Sequence, residues 1–128
     1  METVIIIRDG RRDATELIAR LGTDVRIEKL PDGRFFVEDA PYHLWLGHDD
    51  AILNEYAEEE LRTVREGVTA PVPFVCEFSD MAFGKRILGR ILCGESCLVD
   101  NDHGNIVTGK EFVERLQYEP GWDWRLQT

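Results

Sequence analysis

Short apolar runs of strand length, each followed by turn residues, recur along this chain and alternate with helix-like stripes. The first run is β-branched, covers residues 3–7 and is ended by Asp9 and Gly10. Later runs cover residues 25–30, 35–37, 42–46, 74–78, 97–99 and 106–107. Runs this short bury their apolar side chains only beside other strands, so the pattern predicts a sheet of several strands.

Amphipathic stripes between these runs predict about four helices. Each predicted helix begins at residues that cap helices well. The predicted starts are Asp13 with Glu16, Asp49 or Asp50, Asp80, and Thr108 with Glu111. The longest helix runs to about Arg65, and Gly67 is its stop signal. The order is roughly βαββ(β)αβαββα, which predicts an α+β fold with a mostly antiparallel sheet.

The length of 128 residues fits one domain, residues 1–128, and no linker divides it. Hydrophobic residues make up 43% and charged residues 31%, as in folded rather than disordered chains. Pro71 and Pro73 precede the run at residues 74–78, a place that suits the beginning or the edge of a strand better than its centre. Gly84 and Gly89 each cost the third helix roughly 1 kcal/mol relative to alanine, which predicts that this helix packs tightly against a neighbour.

The cysteines Cys76, Cys93 and Cys97 form no spaced framework, and their odd number favours free thiols in a reducing compartment. We therefore expect a cytoplasmic protein. The N-terminus has no basic leader, and no run approaches the roughly 20 apolar residues of a spanning helix. Secretion and membrane insertion are not expected.

Negative charge is concentrated between residues 38 and 66. The acidic residues there are Glu38, Asp39, Asp49, Asp50, Glu55, Glu58, Glu59, Glu60 and Glu66. The only basic residues in the same stretch are Arg62 and Arg65, so it carries −7 of the net charge of −10. A concentrated acidic face attracts basic partners and repels nucleic acid and anionic lipid. On one helix, Glu55, Glu58 and Glu59 would repel one another at i, i+3 and i+4, and a basic partner would relieve that repulsion.

Two small basic clusters are the only features that favour nucleic-acid binding. They are Arg8, Arg11 and Arg12, and Lys85, Arg86 and Arg90. Each is isolated in an acidic chain with a pI near 4.7, whereas phosphate affinity needs a dominant basic face. We expect these arginines to pair with neighbouring carboxylates and expect no nucleic-acid partner.

Residues 100–111 resemble a calcium-binding EF-hand loop. Asp100, Asp102 and Glu111 match ligand positions, but Gly104 stands where an oxygen ligand is expected and Asn105 where glycine is required. A β-hairpin turn followed by a helix cap at Glu111 explains the same residues. Zinc is a weaker possibility, because Cys93, Cys97 and His103 supply only one pair with suitable spacing.

Catalytic signatures are absent. No serine or cysteine lies in a nucleophile elbow, and chance carboxylate pairs are expected among 25 acidic residues. A metal-dependent hydrolase is the most plausible enzyme, with Asp80, Asp100, Asp102 and His103 converging on an ion. We expect no cofactor and favour a protein without catalysis.

Trp122 and Trp124 are two residues apart, hence on one side of an extended segment. They either close the edge of the core, which we favour, or form an aromatic anchor of the kind that interfaces use.

Small size, free thiols, acidity and an α+β pattern together resemble the immunity proteins of bacterial toxin systems. The resemblance is one of overall character and rests on features such as residues 55–60 and 100–102. It implies a binding protein that neutralises a toxin, often a basic nuclease. The carboxylates that would then mimic phosphate are Asp49, Asp50, Glu55, Glu58, Glu59 and Glu66. Tyr56, Trp122 and Trp124 would be the apolar anchors.

A regulatory or structural subunit of an assembly is a further alternative. It predicts an oligomer whose size depends on concentration, and the sequence leaves the oligomeric state open.

Overall fold

A computed structural model describes residues 1–126, which form one seven-stranded antiparallel sheet with helices on both faces. The strands are β1 Glu2–Asp9, β2 Arg26–Lys29, β3 Phe35–Asp39, β4 Tyr42–His48, β5 Pro71–Phe78, β6 Cys97–Asp100 and β7 Ile106–Thr108. The helices are α1 Thr15–Ile18, α2 Glu58–Gly67, α3 Met81–Ile91 and α4 Gly109–Tyr118. Two 3₁₀ helices lie at Asp50–Glu55 and Trp124–Leu126. The predicted α+β class and antiparallel sheet are confirmed.

The strands lie side by side in the order β2-β3-β4-β5-β1-β6-β7. β1 therefore lies between two neighbours, with Ile6 opposite Phe74 of β5 and Val99 of β6. Both of its faces are covered, since Ile5 and Ile7 point to one side and Val4 and Ile6 to the other. This explains why its sequence is a continuous apolar run rather than an alternating one.

The larger core lies between the sheet and a layer made of α1, α3 and α4. Asp80 caps α3 by accepting a hydrogen bond from the backbone N–H of Phe83 at 2.9 Å, as predicted. Gly84 of α3 lies directly against the ring of Phe78 in β5. The tight packing predicted for this helix is confirmed at that position.

A smaller core lies on the opposite face. Ile5 and Ile7 of β1 and Leu98 of β6 pack there against Val64 and Val68 at the end of α2. The layer formed by α2 and the 3₁₀ helix Asp50–Glu55 therefore covers the β1–β6 part of this face.

The first helix is shorter than predicted, and its proposed capping box is wrong. Asp13 accepts hydrogen bonds from the backbone N–H and the hydroxyl of Thr15, at 2.9 and 2.7 Å. Glu16 does not bond to the backbone, because its carboxylate pairs with Arg8 and Arg11. Ion pairing of Glu16 with Arg8 and Arg11 therefore replaces the predicted helix cap.

Pro71 is the first residue of β5, so the predicted position at the beginning of a strand is confirmed, whereas the edge alternative is wrong because β5 lies between β4 and β1. The carbonyl of Pro73 accepts a hydrogen bond from the N–H of Asp49, so its peptide groups face the β4 side of the strand. Pairing with β4 begins only at Phe74, opposite His48. The missing proline N–H groups therefore point beyond the end of β4, and no ladder hydrogen bond to β1 is lost.

The three cysteines are free. Cys76 and Cys97 are buried, and burial raises the pKa of the Cys97 thiol to about 12. Cys93, just after α3, is exposed. Within residues 1–126, no helix has the length and apolar character needed to cross a membrane.

Candidate partner-binding surface

The predicted long helix is interrupted in the structure, which is a correction to the sequence interpretation. The chain is extended at Tyr56 and Ala57, between the 3₁₀ helix Asp50–Glu55 and α2. The carboxylate of Glu60 accepts a hydrogen bond from the N–H of Ala57 at 2.9 Å and so starts a new helix. Glu55 consequently does not share a helical face with Glu58 and Glu59, and the predicted i, i+3, i+4 repulsion does not arise.

Asp49 and Asp50 are tied into the structure. Asp49 caps the 3₁₀ helix by accepting a hydrogen bond from the N–H of Ala51 at 3.0 Å. Asp50 pairs with Arg12 at 2.6 Å and with His48 at 2.8 Å. The hydrogen bond from Arg12, followed by that from His48, lowers the pKa of the Asp50 carboxyl. Asp50 therefore offers a partner less uncompensated charge than its position in the sequence suggests.

Four other carboxylates of this region are exposed, and none has an ion-pair partner among residues 1–126. They are Glu55, Glu58, Glu59 and Glu66. Glu58 and Glu59 lie in the first turn of α2, where the helix dipole stabilises negative charge. Glu66 lies in the last turn, where the dipole disfavours it, about 12 Å along the axis from Glu58. The acidic surface therefore extends along the whole of α2.

Tyr56 connects this layer to the β6–β7 hairpin. Its hydroxyl donates a hydrogen bond of 2.6 Å to the carboxylate of Asp100, which is buried. Burial, followed by this carboxylate, raises the pKa of the Tyr56 hydroxyl. Tyr56 is thus half-buried and holds two elements together, so only part of its ring is accessible to a partner.

Asp102, at the tip of the same hairpin, lies in a negative environment. Partial desolvation and the neighbouring charge of Asp100 raise the pKa of its carboxyl, Glu2 and Glu55 raise it further, and His103 opposes them.

The substitution Asp102→Asn should stabilise the protein at neutral pH. Because the folded-state pKa of Asp102 is raised, its charged form destabilises the fold above that pKa, and the penalty disappears as the pH falls. Asparagine also tolerates the positive φ of 61° at this position. We expect a gain of roughly a few tenths of a kcal/mol at pH 7.

Chemical denaturation of wild type and variant across the acid range tests this prediction. The difference between the two proteins should shrink to zero below pH 3. A variant that is less stable than wild type at pH 7 would show that the Asp102 carboxylate has a favourable contact in the folded state.

The hairpin interpretation of residues 100–111 is confirmed, and the EF-hand interpretation is wrong. Asp100 belongs to strand β6, and the segment before it is extended rather than helical. Glu111 lies in α4, where its N–H donates to the Thr108 hydroxyl at 3.1 Å. Within the described chain, no three His, Cys, Asp or Glu side chains are grouped to hold a metal ion.

The residues considered for a hydrolase do not converge either. Asp80 caps α3, and Asp100 bonds to Tyr56. His103 lies at the exposed hairpin tip, 3.8 Å from the carboxylate of Glu2. These positions give no shared ion site.

No protein-family model, curated protein or solved structure matches this chain. The geometry of the molecule therefore carries the functional argument.

The two C-terminal tryptophans close the edge of the larger core, as favoured. Trp124 is fully buried and its ring lies 5.3 Å from that of Phe112. Trp122 is half-buried, 5.5 Å from Trp124. Trp124 is therefore not available as a surface anchor, which corrects its place in the predicted site.

A different aromatic group was missed by sequence reasoning. Phe36 of β3 and His43 and Trp45 of β4 lie on the same sheet face as α2, but Phe36 and Trp45 belong to neither core. The ring centroids of His43 and Trp45 are 4.6 Å apart, and those of Phe36 and Trp45 are 5.3 Å apart. We call these three residues the aromatic patch. The sequence signal that could have identified the patch is that two consecutive strands each carry a large aromatic residue, Phe36 and Trp45, on the side facing away from the larger core.

Proposed function

We propose that this protein is a non-catalytic binding module that acts as an immunity protein, neutralising a basic bacterial toxin through its acidic surface. One observation supports it above the others. Every arginine of residues 1–126 except Arg62 and Arg65 is within ion-pair distance of a carboxylate. The ion-paired arginines are Arg8, Arg11, Arg12, Arg20, Arg26, Arg34, Arg86, Arg90, Arg115 and Arg125.

The arginines and the glutamates of the α2 region therefore have different roles. Most arginine side chains are held in ion pairs within the fold, whereas Glu55, Glu58, Glu59 and Glu66 remain exposed and unpaired in the described chain. Such a surface increases the association rate with a basic protein and disfavours acidic ones. Because toxin nucleases bind phosphate through lysine and arginine, carboxylates in this arrangement are suitable phosphate mimics. The free thiols support placing this activity in the cytoplasm.

Co-expression with the product of the neighbouring open reading frame tests the proposal. A tagged copy of this protein should recover that product at low salt and lose it progressively as salt is raised, because the attraction is electrostatic. The triple variant Glu55→Gln, Glu58→Gln, Glu59→Gln should bind about tenfold more weakly, mainly through slower association.

The matched control is Glu111→Gln, Glu114→Gln, Glu119→Gln, in α4 and at its C-terminal cap, which removes the same charge from the other face of the sheet. Glutamine preserves the capping role at position 111. We expect this control to bind like wild type. Equal loss in both triple variants would indicate only a response to net charge. A failure to recover the product at either salt would contradict the proposal.

A further inference from the structure

One half of the sheet face that carries α2 is not covered by a helical core. The apolar cluster beneath α2 consists of residues from β1, β6 and β7 and does not extend to β3 or β4 among the described residues. The aromatic patch lies on that uncovered half. Its rings are half-buried against one another rather than under a helix.

A groove joins the aromatic patch to the layer formed by α2 and the 3₁₀ helix Asp50–Glu55. It has a volume of about 260 Å³, and its walls include Trp45, Val75, Asp49 and Glu77. Trp45 and Glu77 are directly opposite each other on β4 and β5. Asp49 is the N-cap of the 3₁₀ helix Asp50–Glu55. The groove therefore combines an indole ring with two carboxylates.

Arg34 also lines this groove, but its charge is already compensated. Its guanidinium Nε donates to Asp32 at 2.8 Å, and its aliphatic stem lies across Gly47, where a Cβ would come within 3.1 Å of the Arg34 Cδ. Because position 47 is a glycine, the aliphatic part of the Arg34 side chain can lie there and form one wall of the groove. The remaining charge of the groove is that of Asp49 and Glu77, which is negative.

We propose that this groove binds an arginine side chain of a basic partner protein, with the guanidinium over the Trp45 ring and hydrogen bonds to Glu77 and Asp49. The identity of that partner as a toxin rests on the proposed function. A planar guanidinium stacks on aromatic rings and pairs with carboxylates better than an ammonium does. The fold already contains the same kind of contact, since the guanidinium carbon of Arg115 lies 4.1 Å from the Trp122 ring centroid.

A second copy of this chain is a poor occupant. Among the arginines of the described chain only Arg62 and Arg65 are without an ion pair, and both lie on the acidic α2. Bringing α2 of one copy to the groove of another would place like charges together. A different, basic protein fits the groove better.

The test uses N-acetyl-L-arginine amide as the probe and the tryptophan indole N–H signals of ¹⁵N-labelled protein as the readout. Trp45→Phe assigns the Trp45 signal, while Trp122 and Trp124 on the other face are internal controls. We expect a saturable shift of the Trp45 signal alone, with N-acetyl-L-lysine amide binding more weakly. Glu77→Gln should weaken arginine binding about fivefold, whereas Glu114→Gln should leave it unchanged.

Two results would overturn the inference: a Trp45 signal that moves no more than that of Trp122, or equal binding of arginine and lysine amides with no effect of Glu77→Gln. This outcome is separable from that of the co-expression experiment. If the α2 triple variant loses the partner while the Trp45 signal does not respond to the arginine amide, the proposed function is supported and the groove is not an arginine site. A Trp45 signal that responds to the arginine amide, without any recovered toxin, supports the groove as an arginine site and contradicts the proposed function.

Discussion

Replacing Arg8 with alanine should lower the free energy of unfolding by about 3–5 kcal/mol. Only 1% of the Arg8 side chain is exposed. Its Nε donates to Glu95 at 2.9 Å and its Nη1 to the carbonyl of Asp13 at 3.0 Å, and its Nη2 pairs with Glu16. Glu95 is itself only 7% exposed, so the variant leaves a buried carboxylate short of one partner. Burial alone lowers the pKa of Arg8, but the hydrogen bonds that its guanidinium donates to Glu16 and Glu95 outweigh this effect and raise the pKa.

Arg11→Ala is the matched control. Arg11 pairs with the same Glu16, but 62% of its side chain is exposed. An exposed pair of this kind contributes little, so we expect a change below about 1 kcal/mol. Urea denaturation at neutral pH measures both variants. Similar losses for the two would show that burial of Arg8 is unimportant to the pairing.

Adding one methyl group at two glycines of α3 should have opposite effects. At Gly84, a new Cβ would lie 2.8 Å from Cγ of Phe78 and overlap the ring, which is fully buried. We expect Gly84→Ala to destabilise the protein by about 1–3 kcal/mol. At Gly89, the nearest atom to a new Cβ is Cδ1 of Leu116 at 3.9 Å, an ordinary contact. Gly89→Ala should therefore stabilise by up to about 1 kcal/mol through helix propensity.

Thermal unfolding of the two variants beside wild type gives the comparison. The same helix and the same chemical change make each variant the control for the other. If Gly84→Ala also raised the melting temperature, the Phe78 ring would have to move at little cost, which close packing in the core argues against.

Local sequence patterns predicted most of the fold, because most elements begin and end through nearby residues. Asp80 and Thr108 cap their helices from adjacent positions, and the hairpin after Asp100 uses ordinary turn residues. The errors occur where distant residues decide. The break after Glu55 combines a local bond, from the Ala57 N–H to Glu60, with a hydrogen bond from Tyr56 to Asp100, 44 positions away. No local pattern encodes the second contact.

The candidate surface was predicted only in part, for a related reason. Exposure of Glu58, Glu59 and Glu66 follows from helix periodicity alone. The pairing of Asp50 with Arg12 depends on the packing of segments far apart in sequence. Alternation along β4 places Trp45 on the opposite side of the strand from Leu44 and Leu46, but whether a helix covers that side depends on the whole topology.

The unequal burial of the three thiols has a practical consequence for all these experiments. Cys76 and Cys97 are enclosed, and their raised pKa values suppress the reactive thiolate. Cys93 alone is exposed, at the end of α3 on the far side of the sheet from α2 and Trp45. A maleimide dye or biosensor tether would therefore attach at one defined point, in one orientation, and leave the acidic and aromatic surfaces facing the solution.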